Sequence, residues 1–152
     1  MLKPVLALTA AAVMTACATA GESTTDTLEN GRTDGLADLT IEMAVEIQEG
    51  SVYISIFDSA EGYAAGDPVG QAGKPVAEIV TFTAEGLTPG RYAIRAYHDV
   101  NGNGQLDTNV LGIPSEPFAF SNNAAANFGP ATFEDAAFEV AAPATIHKME
   151  IK

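Results

Sequence analysis

The sequence predicts an all-β protein, a single β-sandwich that follows an export signal. Two observations lead to this class. From Leu39 onward, apolar and polar residues alternate in several short runs separated by Gly- and Pro-containing turns, as strands with one buried face do. No segment after the signal shows a helical period, and many short strands with frequent turns are typical of a sandwich.

The first strand is predicted over Leu39–Ile47 and the second over Ser51–Phe57. Gln48, Glu49 and Gly50 form a short turn between them, so the two strands are expected to pair as a hairpin. A third strand is predicted over Val76–Thr83.

The later strands are predicted over Arg91–His98, Ala136–Ala141 and Thr145–Lys152. These six segments predict a sandwich of six or seven strands, about seven. The segment Leu87–Ile94 contains a Pro-Gly turn that leads directly into a strand. This pattern resembles the turn and strand of transthyretin-like sandwiches. An immunoglobulin-like or transthyretin-like β-sandwich is therefore the expected architecture.

Two connections are unusually long, Asp58–Pro75 and Gly112–Asp135. The first is predicted to be a surface loop because it is rich in glycine. The second contains four phenylalanines, which are expected either to complete the core or to form a ligand-binding face. For the second alternative, the expected ligand is a small molecule, a carbohydrate or a protein, and the predicted contact residues are Phe118, Phe120, Asn122 and Asn123.

Residues 1–16 have the three parts of an export signal, namely a positive start at Lys3, an apolar stretch and then small residues. Cys17 follows Met14-Thr15-Ala16, which resembles a bacterial lipobox and predicts lipidation. The alternative is ordinary cleavage after Ala20. Lipidation at Cys17 predicts an outer-membrane lipoprotein that faces the periplasm, with the membrane as its partner. Cleavage after Ala20 predicts a soluble periplasmic or secreted protein.

Residues 17–38 are polar and small, so they are predicted to be a flexible linker, and residues 39–152 are predicted to be the β-sandwich domain. The formal net charge of the whole chain is −13, with 20 acidic and 7 basic residues. So few basic residues do not favour nucleic-acid binding, because neutralising phosphates requires Lys and Arg. Acyl chains at Cys17, and not a basic patch, are the expected membrane contact.

Oxygen-bearing side chains alternate along the segment that follows His98. Asp99, Asn101, Asn103, Gln105 through its carbonyl, and Asp107 occupy positions 1, 3, 5, 7 and 9 of a calcium loop of the EF-hand type, with Gly104 at the bend. Position 12 is Val110 where a glutamate is expected, so the closing ligand must come from elsewhere. The candidates are Glu116, Glu134 and Asp135. The alternative is a metal-free turn, since Asn-Gly is itself a strong turn signal.

No pattern of catalytic residues stands out, so the sequence predicts a module that acts in binding or in envelope structure and is not an enzyme. An enzyme is the remote alternative. His98 and His147 are the only histidines, and the only thiol lies next to the signal. The segments Asp58–Tyr63, Tyr97–Asn109, Leu111–Pro114, Phe120–Asn123, Phe128–Pro130 and Phe133–Phe138 resemble a bacterial family of exported proteins named domain of unknown function 2141. The resemblance covers Leu39–Lys152 and implies one exported β-domain without an established activity.

Overall fold

The computed structural model describes residues 35–152 as an all-β fold of two sheets. The predicted signal at 1–16, the lipidation residue Cys17 and most of the predicted linker lie outside the described residues. The strands are β1 (Ala37–Val45), β2 (Ser51–Phe57), β3 (Gly70–Pro75), β4 (Ile79–Leu87), β5 (Gly90–Asp99), β6 (Phe118–Phe120), β7 (Phe138–Val140) and β8 (Ala144–Ile151). Two short helices are α1 (Ala60–Ala65) and α2 (Phe133–Ala136).

The three-stranded sheet has the order β4-β1-β8, in which β1 is antiparallel to β4 and parallel to β8. The five-stranded sheet has the order β3-β2-β5-β6, and β7 also pairs with the first residues of β5. These sheet neighbours are antiparallel. The end of β5 lies opposite the start of β2, where Ser51 pairs with Asp99.

The predicted hairpin of the first two strands is wrong, because β1 and β2 belong to different sheets. Each strand carries an apolar face, and both faces contribute to one buried cluster, so the strands meet through their side chains and not through their edges. Other members of that cluster come from β4, β5, β7 and β8. They are Val80, Phe82, Tyr92, Ile94, Ala96, Val140, Met149 and Ile151.

The loop predicted at Asp58–Pro75 contains α1 and strand β3, and the strand predicted at Val76–Thr83 begins later and continues to Leu87. Helix α1 has only six residues, which is too short to show a helical period. Local signals define its ends. The Ser59 hydroxyl accepts the Gly62 N–H at 3.3 Å, and Gly66 ends the helix at φ +73°.

The second predicted loop, Gly112–Asp135, also contains regular structure, namely β6, a single 3-10 turn and the first residues of α2. A second buried cluster involves this segment, and its members are Phe57, Tyr63, Ala93, Phe120, Ala131 and Ala136. The expectation that aromatic residues here complete a core is met by Phe120. The sequence did not predict which phenylalanine would be buried, because a strand of three residues is too short to show an alternating pattern.

Candidate functional site

The predicted cation loop begins at the end of β5 and lies at the end of the domain opposite to Ala37. Asp99 is the last residue of β5 and pairs with Ser51, which follows the turn after β1. Strand β1 runs nine residues from Ala37 toward that turn. At 3.3 Å per residue this separates the two ends by about 26 Å.

The Asp99 carboxylate organises the loop. It is 1% exposed and accepts three backbone hydrogen bonds, from Gly102 at 2.8 Å and Asn103 at 3.0 Å on Oδ1, and from Gly104 at 2.7 Å on Oδ2. Both glycines have positive φ, +75° and +79°, which lets their N–H groups turn toward one carboxylate. Hydrogen bonds to an ionised acceptor are stronger than neutral ones, so Asp99 stabilises the wrapped backbone by itself.

The side chains of Asn101, Asn103 and Asp107 converge at the exposed side of the loop. The Asn103 Nδ2 group lies 3.0 Å from both Asp107 carboxylate oxygens, and Asn101 Nδ2 also donates to Asp107. The Asn101 Oδ1 atom accepts the Asn103 N–H at 3.0 Å, and Asn103 Oδ1 accepts the Gln105 N–H at 2.8 Å. The structure therefore brings the side chains of three of the five predicted ligands into contact, those of Asn101, Asn103 and Asp107. The Asp99 carboxylate contacts only backbone N–H groups of the loop, and Gln105 joins through its own backbone N–H.

Glu116 connects this loop to the segment that follows it. Its Oε1 atom accepts the Val100 N–H at 3.0 Å and its Oε2 atom accepts the Asp107 N–H at 3.1 Å, and the residue is 9% exposed. The segment that carries Glu116 also bonds the loop through its backbone, since the Ser115 N–H donates to the Asp107 carbonyl at 2.8 Å. One carboxylate thus ties the start of the loop to its end.

The other two candidates for a closing ligand lie elsewhere. Glu134 pairs with Arg91 at 3.0 Å, at the start of β5, and the Asp135 N–H is capped by Thr132 at the start of α2. The sequence alone did not distinguish Glu116, Glu134 and Asp135 as closing ligands. Only the tertiary structure separates Glu116 from them.

The donor set of the loop is made of oxygens, as hard cations prefer. Within residues 35–152 no group of three or more His, Cys, Asp or Glu side chains is arranged to hold a metal ion. The arrangement around Asp107 consists instead of carboxylates with amides, and an amide presents either its oxygen or its nitrogen to the same point when it is rotated by half a turn.

The four residues predicted to contact a ligand have different environments. Phe120 is buried and Phe118 is half-buried, with ring centroids 5.7 Å apart. The Asn122 side chain donates to the Ala137 carbonyl at 2.8 Å, and Asn123 Oδ1 accepts the Glu150 N–H at 3.1 Å. Phe118 is thus the member of the four with an accessible ring, while the two asparagine side chains hold the segment against its neighbours.

Phe118 lines two grooves. A groove of about 550 Å³ is lined by Ile47, Val100, Pro114, Ser115, Glu116, Pro117, Phe118 and Lys152. A smaller groove of about 190 Å³ is also lined by Phe118, together with Phe120 and Asn123. The larger groove shares Glu116 with the loop.

An aromatic row on the outer face of the five-stranded sheet was not anticipated from the sequence. Tyr53 pairs with Tyr97, and Tyr97 pairs with Phe118, so the three rings stand side by side on neighbouring strands. The two tyrosine rings are stacked at 5.1 Å, and the lack of a side chain at Gly73 leaves space for Tyr53. Burial, together with the nearby Tyr53, Asp99 and Glu116, raises the pKa of Tyr97.

Tyr97 also joins the row to the cation loop, because its hydroxyl donates to the Gly104 carbonyl at 3.2 Å. Alternation along β5 shows which residues share a face, but the partners across strands depend on register. The row could therefore be found only after the strands were paired.

The two histidines occupy unlike positions. His98 is buried on the core face of β5, and its ring contacts the Glu49 carbonyl, whereas Asp99 lies on the opposite face. The His147 ring stacks on Phe138 at 3.8 Å, its Nε2 atom accepts the Asn122 N–H at 3.3 Å, and burial lowers its pKa. In the part of the chain that the structure describes, neither ring is hydrogen-bonded to a nucleophilic side chain.

No helix within residues 35–152 has the length and apolarity needed to cross a membrane. Searches of curated proteins and of solved structures returned no significant match. A family model described as an uncharacterized protein conserved in bacteria (DUF2141) matches residues 43–148. This range contains the cation loop, most of both sheets and Phe118, which lines both grooves. The chain belongs to this family, domain of unknown function 2141.

Proposed function

We propose that this protein is an exported, lipid-anchored module of the bacterial envelope that acts in binding or in envelope structure, with a calcium-stabilised loop. Its sheets would form a β-sandwich of immunoglobulin-like or transthyretin-like form. The signal at 1–16 would be cleaved and Cys17 lipidated, which attaches the domain to the outer membrane on its periplasmic side.

The observation that carries the calcium proposal is the convergence of Asn101, Asn103 and Asp107 beside two ordered carboxylates. Their contacts bring the two amides and the carboxylate together at one point. Rotation of the amides would place oxygens where nitrogens now meet Asp107. Glu116 and Asp99 each accept backbone N–H groups and have further oxygen lone pairs for an ion. Glu116 would supply the missing twelfth ligand, and its bond to the Asp107 N–H supports that choice.

The expected affinity is weak, because extracellular sites with few carboxylates bind calcium with dissociation constants on the order of 10⁻⁴–10⁻³ M. At ten times that concentration an ion stabilises the folded state by about 1.4 kcal/mol. For a domain of about 118 residues, an unfolding entropy of about 2.1 cal/mol/K per residue converts this into a Tm increase of about 6 °C.

The test is the Tm in calcium and in a chelator, followed by circular dichroism. Asp107→Asn should abolish the increase, since it removes the half-buried carboxylate that Asn101 and Asn103 contact, while Asp99 continues to organise the loop. Asp67→Asn is the matched control, because Asp67 is an exposed carboxylate after α1, near the other end of β2. A wild-type Tm that is equal in calcium and chelator contradicts the proposal, as does an Asp107→Asn protein that keeps the full increase.

The proposed anchor at Cys17 precedes the domain, whose first strand begins at Ala37. Fractionation of cells that express the wild type and Cys17→Ala tests the anchor. The variant should move from the membrane to the soluble fraction, and a soluble wild type cleaved after Ala20 would refute it.

A second candidate function is binding of a small ligand or carbohydrate, and the row of Tyr53, Tyr97 and Phe118 favours it. Aromatic rings beside a groove offer the apolar contact that sugars and small molecules use. Thermal-shift measurements with soluble saccharides of the cell wall, such as N-acetylglucosamine oligomers, test it. A shift in the wild type and in Phe128→Ala, whose ring is fully exposed, but not in Phe118→Ala would support it, and no shift in the wild type would argue against it.

A further inference from the structure

The cation loop contains two consecutive Asn-Gly dipeptides, Asn101-Gly102 and Asn103-Gly104. Asn-Gly is the dipeptide most prone to deamidation, because glycine offers no side chain to hinder attack by its own nitrogen. Both asparagines and both glycines are exposed, so water has access to all four residues. Reactivity at these sites must therefore depend on local geometry and not on burial.

The reaction begins when the glycine nitrogen loses its proton to solvent base and attacks the Cγ atom of the preceding asparagine. A new N–C bond closes a succinimide ring, the side-chain amide nitrogen takes a proton from solvent, its C–N bond breaks, and ammonia leaves. Water then adds to one of the two ring carbonyls and opens the ring to aspartate or isoaspartate. No oxidant or metal is required.

The attacking nitrogens are held by Asp99. The Gly102 N–H donates to Asp99 Oδ1 at 2.8 Å, and the Gly104 N–H donates to Asp99 Oδ2 at 2.7 Å. Loss of either proton would place a negative charge directly against a carboxylate, which like-charge repulsion disfavours. Asp99 is 1% exposed, so water weakens these bonds little.

The attacked carbons are held as well. Asn101 Oδ1 accepts the Asn103 N–H at 3.0 Å and Asn103 Oδ1 accepts the Gln105 N–H at 2.8 Å, each two residues ahead, so each side-chain amide is fixed by a hydrogen bond at its oxygen. The amide nitrogens of both donate to Asp107. Succinimide closure would have to break bonds on the nucleophile and on the electrophile together.

We propose that residues 101–104 are a deamidation site that Asp99 keeps closed in the folded protein. Opening of the loop releases both dipeptides at once, because one carboxylate holds both glycine nitrogens. Conversion would raise the number of carboxylates between residues 99 and 107 from two to four and would make the opening permanent, since repulsion opposes reclosure. The protection does not require a bound ion, and it goes beyond the proposed function.

The test uses the full chain in a chelating, mildly alkaline buffer, incubated with and without unfolding concentrations of urea. Digestion and mass spectrometry measure the conversion of Asn101 and Asn103 to acids over time. In the native wild type, conversion should be at least about tenfold slower than in urea, because only the open fraction reacts. Equal rates in the two conditions would overturn the proposal.

A second experiment tests whether the protection comes from the Asp99 clamp, that is, its hydrogen bonds to the Gly102 and Gly104 N–H groups, and not from folding in general. It compares Asp99→Asn with Asp67→Asn as the matched control. In native buffer the first variant should deamidate at both positions about tenfold faster than the wild type or more, and the control should not. Circular dichroism shows whether Asp99→Asn is folded. If it is unfolded, amide hydrogen exchange in the wild type decides, because strong protection of the Gly102 and Gly104 N–H groups supports the clamp and free exchange refutes it.

Discussion

Replacing Glu116 by alanine should destabilise the domain strongly, even without calcium. The side chain is 9% exposed and accepts the N–H groups of Val100 and Asp107 at 3.0 and 3.1 Å. A hydrogen bond to a charged group contributes about 1.5–3 kcal/mol. Loss of both leaves two partly buried donors unpaired, so unfolding should become easier by about 3 kcal/mol.

The assay is urea denaturation and thermal melting in chelator, followed by circular dichroism. For about 118 residues, a loss of about 3 kcal/mol lowers the Tm by about 12 °C. Glu116→Gln retains one acceptor oxygen, so it should lose roughly half as much. Glu85→Ala is the control, because Glu85 is exposed on β4.

A Glu116→Ala protein within about 0.5 kcal/mol of the wild type would refute the reasoning, since that is the usual range for surface substitutions. The same variants bear on the proposed ion. If Glu116 closes the calcium site, Glu116→Gln should reduce the Tm increase caused by calcium, and a double-mutant cycle with Asp107→Asn should show non-additive effects.

Three other predictions concern the framework around the site. Ser121→Ala should cost about 2–4 kcal/mol in urea denaturation, because the fully buried hydroxyl accepts the Ile94 N–H at 2.8 Å and donates to the Ala136 carbonyl. Stability should fall as the pH drops below about 6.5, because burial lowers the pKa of His147 and the unfolded chain therefore binds the proton more readily; His147→Gln should flatten that part of the pH profile of the unfolding free energy. Gly50→Ala should destabilise by more than about 3 kcal/mol in thermal melting, because φ is +82° and an added Cβ would overlap the backbone at the start of the loop.

Much of the site followed from local chemistry. The alternation of Asp99, Asn101, Asn103 and Asp107 around two glycines predicted a loop that binds a hard cation, with a metal-free turn as the alternative. The structure has a polar loop at these residues, and calcium binding stays a prediction. The same spacing could not show that the Asp99 carboxylate accepts hydrogen bonds from three backbone N–H groups. That outcome depends on the burial of Asp99 at the end of β5, which no local pattern reports.

The two asparagines predicted to contact a ligand have structural partners that the local sequence could not reveal. Asn122 and Asn123 were predicted contact residues because they lie in an amide-rich segment without a helix or strand period. Both residues are exposed in the structure, and ligand contact there stays a prediction. In the structure Asn122 has φ +59°, and its side chain bonds carbonyls near α2, while Asn123 holds the backbone of β8. Their partners are 13 to 27 residues away, so sequence proximity carried no signal of them.

By itself the sequence determined the strand faces, the polar loop after His98 and the family, because alternation, turn chemistry and motifs are local properties. The tertiary structure decided which edges pair. It separated β1 from β2, placed β8 parallel to β1, and brought Glu116 to the loop while Glu134 went to Arg91. Pairing depends on where whole apolar faces can be buried together, and that is a property of the assembled sheets and not of any one segment.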